Sequence, residues 1–214
     1  MATIHRTTMV PTKLDLLRDW LPRQPWYRST GTQPQLTRSG GFRLDDPAGE
    51  VGIEFLVVTD GIDGVGTTYS VPLTYRGAPP PEAGEGLVGT SEHGVLGRRW
   101  IYDAAHDPVA VAQLLAFLCG ETEAQHQNES DTPDPSIGRH WAATGRPSAP
   151  APLRVTHTEA GTSIAVDGPG SSTGSLDLVR VLVEGAGDDA LGRAEVDWTR
   201  PDGTAARGVA VVVR

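Results

Sequence analysis

The stretch EVGIEFLVVTD, residues 50–60, decides the fold of this chain, together with the Gly-rich segment 61–66 and the run 67–76 that follow it. Both runs are rich in β-branched and aromatic residues, and the Gly/Asp-rich segment between them is typical of a β-hairpin. Successive side chains of a strand point to opposite faces. We therefore expect a solvated face that holds Glu50 and Glu54, and an apolar face. The apolar face consists of Val51, Ile53, Phe55 and Val57.

Two amphipathic segments predict the main helices. Thr12 is placed to cap the first one, and Asp15 three residues later gives an approximate capping box. Asp107 is placed to cap the second, with Pro108 at its first helical position. Short β-like runs separate and follow these helices. The sequence thus predicts an α+β fold: a curved antiparallel sheet with two main helices packed on it, plus a C-terminal all-β segment.

The composition along the chain predicts three parts. Residues 1–130 are expected to form the α+β domain, with its first strand at residues 4–10. Residues 131–152 are rich in Pro, Ser and Thr and are expected to form a linker. Residues 153–214 are β-rich, and about 60 residues of short strands make a marginal core on their own. We therefore expect this last part to pack on the first.

The charge and the rare residue types argue against several classes of function. A net charge of −9 disfavours binding to nucleic acid. The single cysteine, Cys119, rules out a disulfide or a thiolate zinc site built within these residues. Lys13 is the single lysine and follows no Gly-rich loop, so neither Schiff-base chemistry nor a phosphate-binding lysine is expected. The absence of a long apolar window and of a signal-like N-terminus predicts a cytoplasmic location without membrane association.

The segment EHGVLGRRWIYD, residues 92–103, holds the richest mixture of polar and aromatic side chains. On a strand, Arg98, Trp100 and Tyr102 share one face, and Ile101 lies on the other. If Ile101 faces the core, the first three form an Arg–aromatic stripe on the open face, which suits a sugar ring, a nucleobase or a protein partner. The alternative is an ordinary solvated strand with one packed tryptophan.

A metal site is a weaker alternative for the same region. Glu92, His93 and His106 are ligand types of a two-histidine, one-carboxylate site, but their spacing matches no helical histidine pair. We therefore expect no metal, no cofactor and no catalytic residue. The other histidines are interpreted as scattered and without partners: His5, His126, His140 and His157.

Several segments resemble the maltokinase N-terminal cap domain family over roughly residues 1–130. They are WLP at residues 20–22 with WY at 26–27, VPLTYR at 71–76 before a Pro-rich loop, LVGT at 87–90, and YDAAHDP at 102–108. In maltokinases the cap is the first part of a kinase-like lobe, and catalysis belongs to a later domain. No kinase catalytic-loop or metal-binding Asp motif follows residue 130 here. The resemblance thus implies a cap without its kinase half.

The resemblance implies a non-catalytic binding or regulatory module associated with maltose, trehalose or α-glucan metabolism. Its partner is expected to be a kinase-like or glucan-processing enzyme or a saccharide. A small-molecule enzyme with a pocket around Glu92, His93 and Asp103 stays open as an alternative, as does a structural dimer that uses the C-terminal strands as an edge. The expected binding residues, besides that pocket, are Trp20, Trp26, Tyr27, Arg98, Trp100 and Tyr102.

Overall fold

A computed structural model describes residues 8–29, 31–62, 65–80, 85–168, 173–185 and 190–214. In these ranges twelve strands form a single sheet, in the order β1-β5-β6-β4-β3-β2-β11-β12-β10-β9-β8, with β7 paired to β11 off this path. The strands are Met9–Val10 (β1), Leu36–Leu44 (β2), Val51–Ile62 (β3), Val65–Arg76 (β4), Leu87–His93 (β5), Gly97–Asp103 (β6), Gly138–Trp141 (β7), Val155–Thr158 (β8), Gly161–Asp167 (β9), Thr173–Leu178 (β10), Gly192–Thr199 (β11) and Ala205–Val213 (β12). Of the predicted first strand, residues 4–7 lie outside the described ranges.

The predicted α+β class is wrong, because the protein is mostly antiparallel sheet. Its two α-helices are short: Lys13–Trp20 (α1) has eight residues and Pro108–Leu118 (α2) has eleven. The C-terminal strands, expected to form an all-β segment packed on the first part, are strands of the same sheet. None of the helices in the described ranges is long and apolar enough to cross a membrane. The predicted division at residues 130 and 152 stays a prediction, and β7 lies inside the expected linker.

The helix starts were predicted correctly from local capping chemistry. Thr12 and Asp15 form a reciprocal capping box at the start of α1, in which each side chain accepts from the other residue's backbone N–H. The Asp107 side chain accepts from the Val109 backbone N–H at the start of α2, and Pro108 follows it. The last turn of α2 leads into Gly120, whose φ of +81° lies in the left-handed region.

The predicted hairpin is confirmed as β3 and β4, which pair from Val51↔Arg76 to Ile62↔Val65. The predicted apolar face of β3 packs against α2 and the C-terminal strands. The opposite face was expected to be solvated, and for Glu54 this is wrong, because its exposure is 4%. Leu56 and Val58 on that face pack with α1 in a second cluster. Strand β3 is therefore covered on both faces.

Glycines let the N-terminal and C-terminal halves of the sheet meet. Trp198 of β11 pairs with Gly40 of β2, next to a register shift in β2. A Cβ at Gly40 would lie 2.7 Å from the Asp197 carbonyl oxygen, so a larger residue there would push β11 away. Close approach of two backbones is a common reason for glycine inside a strand.

The segment that follows β10 closes the strands into a ring. The Val179 backbone N–H donates to the Ala210 carbonyl of β12 at 2.9 Å. On its other side the same segment pairs with β4: Ser70 N–H donates to Arg180 C=O at 2.9 Å, and Leu182 N–H donates to Thr68 C=O at 2.8 Å. The hydrogen bonds thus run from β4 through β3, β2, β11, β12 and residues 179–182 back to β4.

We expect Gly41→Ala to destabilise the protein far more than Gly49→Ala. Both glycines have positive φ, +129° and +71°, so each alanine carries a backbone cost of about 1–2 kcal/mol. At Gly41 the new Cβ would also collide with the Phe55 carbonyl oxygen, whereas at Gly49 it would meet nothing within 4 Å. Urea unfolding followed by circular dichroism should give a loss of roughly 3 kcal/mol or more for Gly41→Ala. Equal losses for the two variants would contradict this account of the β2–β3 contact.

Candidate functional site

The aromatic residues predicted at the start of the cap-like segment lie in the core. Trp20 and Trp26 are 8% and 1% exposed, and their ring centroids are 5.7 Å apart. Trp26 also packs on Tyr69. The Tyr27 hydroxyl donates to Asp60 at 2.6 Å, and burial together with that carboxylate raises the pKa of Tyr27. These side chains therefore stabilise the fold rather than form an open surface.

The Arg98–Trp100 part of the predicted stripe lies at the surface. Arg98 is exposed and Trp100 is half-buried, and the guanidinium carbon lies 5.4 Å from the indole centroid. This separation is in the range of cation–π contacts. Ile101, on the opposite face, is 1% exposed and belongs to the cluster around α1. The predicted stripe depended on this burial of Ile101. Tyr102 is 3% exposed and does not extend the open stripe.

The structure does not bring Glu92, His93 and Asp103 into one pocket. Glu92 and His93 lie near the β5–β6 turn, where His93 pairs with Gly97. Asp103 ends β6 six residues further on, about 20 Å along the strand. The His93 Nδ1 accepts from the backbone N–H groups of Val95 and Leu96, so this ring caps the turn.

Asp103 instead forms a buried ion pair with Arg180. Both side chains are 0% exposed. The Arg180 Nη2 lies 2.8 and 2.6 Å from the two carboxylate oxygens, and its Nε donates to the Thr162 hydroxyl at 2.8 Å. The guanidinium carbon also lies 5.0 Å from the Trp26 ring centroid. One guanidinium thus joins β6, β9 and the turn after α1.

Two histidines lie next to this ion pair. The Nε2 atoms of His106 and His157 are 3.0 Å apart, and the Nδ1 of His157 lies 2.9 Å from the Thr162 hydroxyl. Ligand atoms of these histidines and of Asp103 all lie within 4.8 Å of one another. Burial lowers the pKa of His157, so this imidazole favours its neutral form. The group is a candidate site for metal binding or proton transfer.

Sequence reasoning missed most of this cluster. His106 was grouped with Glu92 and His93, but it lies beside His157, which was wrongly interpreted as having no partner. Arg180 was not singled out at all. Its sequence context, an arginine between two valines in a β-like run, carries no signal of burial. Only the pairing of the segment after β10 with β4 brings it to Asp103.

A second buried charge lies on the α1 side of the sheet. The Glu54 carboxylate accepts from Lys13 Nζ at 2.5 Å, from the Tyr75 hydroxyl at 2.5 Å and from Gln127 Nε2 at 2.9 Å. Burial alone would raise the pKa of Glu54, but the charge and hydrogen bonds of Lys13, with the other two donors, hold it below its ordinary value. Burial, together with the same carboxylate, raises the pKa of Tyr75 well above its ordinary value. All these contacts are structural pairings within the chain.

An open groove of about 270 Å³ lies beside the segment that closes the ring. Arg28, Trp198 and Arg200 are among its lining residues. Arg200 pairs with Glu184 across the groove, and Trp198 is 5% exposed. The groove therefore offers a saccharide little free aromatic surface.

Comparison with known proteins gives one match to a family model, over part of the chain. Residues 20–107 match the family model described as the maltokinase N-terminal cap domain. The resemblance predicted from the sequence is thus confirmed for this segment, which runs from the end of α1 to the N-cap of α2. No curated protein matches the chain at a significant level.

We expect Arg180→Met to destabilise the protein by about 3–5 kcal/mol, because it leaves the Asp103 carboxylate buried without its cation. The double variant Arg180→Met/Asp103→Asn should recover part of that loss, since it removes the uncompensated charge as well. Urea unfolding followed by tryptophan fluorescence measures both.

The exposed pair of Arg146 and Glu121 is the matched control, with side chains 36% and 49% exposed. Arg146→Met should cost no more than about 1 kcal/mol. A loss for Arg180→Met as small as that of the control would show that the buried pair does not stabilise the fold.

We expect Glu54→Gln to make the protein less sensitive to acid. The lowered pKa of Glu54 means that its contribution to stability is present above the unfolded-state pKa near 4.5 and is lost as the pH falls through the folded-state value. The free energy of unfolding of the wild type should therefore fall more steeply below pH 4.5 than that of Glu54→Gln. Lys13→Met should also flatten this dependence, because it removes the largest interaction that lowers the pKa. Parallel pH curves for all three proteins would contradict the assignment.

Proposed function

We propose that this chain, in which residues 20–107 match the family model of the maltokinase N-terminal cap domain, is a non-catalytic binding module of maltose, trehalose or α-glucan metabolism. We propose further that it binds a kinase-like enzyme through one end of the β5–β6 hairpin. The observation that carries the proposal is a group of exposed aliphatic side chains together with Arg98 and Trp100, which we call the hairpin surface. It consists of Val10, Val95, Leu96, Arg98 and Trp100.

The members of the hairpin surface lie together at one edge of the sheet. Val95 and Leu96, 61% and 45% exposed, form the turn between β5 and β6. Val10 is 67% exposed and pairs with Glu92 on the edge strand β1. Arg98 follows the turn on β6 and lies over Trp100. Tryptophan and arginine beside exposed aliphatic side chains are typical of the anchoring centre of a protein interface.

The shape of this surface favours a protein over a sugar. Small-molecule sites are concave and enclose most of their ligand. The hairpin surface is built on a turn and an edge strand, and its aliphatic side chains project into solvent. A second folded surface buries such groups more fully than a disaccharide does. The cap domain's family relationship to kinase-containing enzymes supports a kinase-like enzyme as this partner.

The buried carboxylates of the cap domain support a binding role rather than catalysis. Glu54 accepts from three side chains, and Asp103 pairs with Arg180. Asp107 pairs bidentately with Arg76, at 2.7 Å for both contacts, and caps α2. Each carboxylate is thus engaged in holding elements together. A general acid or base needs a carboxyl group that is free to exchange a proton with substrate.

We expect the wild type to bind a purified maltokinase from the same cell and the double variant Leu96→Asp/Arg98→Glu to bind at least tenfold more weakly. The substitutions place negative charge on the hairpin surface and remove its apolar contact. Biolayer interferometry measures both affinities. The matched control is Leu191→Asp/Arg23→Glu, which changes an equally exposed leucine, at 46%, and an exposed arginine outside that surface.

Equal weakening by the two double variants would contradict the assigned surface. Absence of wild-type binding to the maltokinase would overturn the kinase-like partner. Parallel calorimetric titrations with maltose and trehalose test the saccharide alternative. Sugar binding that survives the hairpin double variant, without enzyme binding, would place the function elsewhere on the chain.

A further inference from the structure

We propose that His106 and His157, with the Asp103 carboxylate beside them, form a binding site for a divalent transition-metal ion of the zinc class. The proposal rests on the geometry of three side chains that come from distant parts of the chain. It departs from the expectation, drawn from spacing alone, that the protein holds no metal. It is independent of the partner proposed above.

The two imidazole nitrogens have nearly the separation that a shared metal requires. Tetrahedral zinc with Zn–N bonds of about 2.0–2.1 Å holds two nitrogens roughly 3.3 Å apart. The Nε2 atoms of His106 and His157 are 3.0 Å apart. A small rotation of either ring therefore opens the position between them to a cation. The cation takes the place of the proton between the two rings, and the ring that carried this proton binds in its other neutral tautomer, with the proton on Nδ1.

The ring of His157 already has the second contact that orients metal ligands. Its Nδ1 lies 2.9 Å from the Thr162 hydroxyl, so a proton on Nδ1 leaves Nε2 as the lone-pair nitrogen facing His106. Metal-binding histidines commonly donate their other N–H in this way. Thr162 is itself fixed, because it accepts from Arg180 Nε at 2.8 Å.

Asp103 supplies an anionic oxygen near the same position. A carboxylate offers about four lone-pair sites. Arg180 Nη2 contacts both oxygens, and the Ala105 backbone N–H donates to Oδ1 at 3.1 Å, which leaves a free site on Oδ2. Two imidazoles and one carboxylate, with the remaining positions open to water, suit zinc and its neighbours better than calcium or magnesium.

The site is open to solvent, and its two histidines come from different parts of the chain. Both histidines are half-buried, so a hydrated cation reaches them from solvent. His106 ends the turn after β6, inside the cap domain, whereas His157 lies on β8, outside it. A Cβ at Gly86 would lie 2.6 Å from His106 Cδ2, so that ring packs directly on the Gly86 backbone. A bound cation would thus fasten β8 to the cap domain.

The test is a titration of metal-free protein with ZnCl₂ by isothermal calorimetry, and with CoCl₂ by visible absorption. We expect one ion per chain and intense d–d bands between about 500 and 700 nm, as four-coordinate cobalt gives in place of zinc. His106→Gln and His157→Gln should each weaken binding at least tenfold. The exposed His140 provides the matched control, and His140→Gln should bind as the wild type does.

A second measurement uses the wild type, so its result does not depend on whether the histidine variants fold. In the wild type, Zn²⁺ should shift the imidazole ¹⁵N resonances of His106 and His157 and leave that of His140 in place. Weak cobalt bands typical of six-coordination, binding unchanged in both histidine variants, or shifts confined to other histidines would each overturn the proposal. So would the absence of any heat or spectral change on adding metal to the wild type.

Discussion

The ion pair between Arg180 and Asp103 is the contact on which the rest of the structure depends. A guanidinium and a carboxylate at 0% exposure are tolerated because each pairs with the other, and because the Thr162 hydroxyl and the Ala105 backbone N–H add further hydrogen bonds. The Nη1 of Arg180 makes no hydrogen bond to the described residues. The pair is formed only if the segment after β10 lies against β4. The placement of that segment, in turn, decides how the C-terminal strands join the sheet.

The closure of the ring explains why the protein is a β-sheet structure with two small helices. Strands β9 to β12 supply apolar side chains that share one core with α2 and the inner face of β3. Helix α1, with Trp20 and Trp26, covers the other face of β3. Each helix therefore covers one side of a hairpin that is already paired at both edges, and neither needs to be long. The carboxylate of Glu54, which is buried on the α1 side, is paired with Lys13.

Local patterns in the sequence predicted those features of the fold that depend on residues close together in the chain. The alternation in β3, the capping box at Thr12 and the Asp–Pro start of α2 were all readable because their partners lie within a few residues. The fold class was not readable. It depends on contacts such as Gly40 with Trp198 and Tyr69 with Val181, whose partners are more than a hundred residues apart and leave no periodic signal. The same reason hid Arg180 and His157, since each has its partner in the cap domain.

Aromatic residues show the limit of predicting a site from residue type. Trp20, Trp26 and Trp100 were all read as binding residues, yet the structure buries the first two and leaves the third at the surface. A tryptophan serves as a core residue as readily as it serves as a binding residue, because it buries a large apolar area at small entropic cost. Strand parity correctly placed Trp100 on the face opposite to the buried Ile101. The alternation of side chains along a strand gives no information on Trp20 and Trp26, because neither residue lies in a strand.

The matched cap domain is not self-sufficient in this chain. Within residues 20–107, Asp103 and Trp26 are covered by Arg180, and β4 is completed at Ser70 by the same segment. Without residues 179–182, a buried charge would face solvent or an apolar void, and the β4 edge would lose its hydrogen bonds. The C-terminal strands therefore cover one side of the cap domain, and the hairpin surface lies on the opposite run of strands. This arrangement follows from the backbone pairing of residues 179–182 with β4 and β12, together with the ion pair of Arg180 and Asp103.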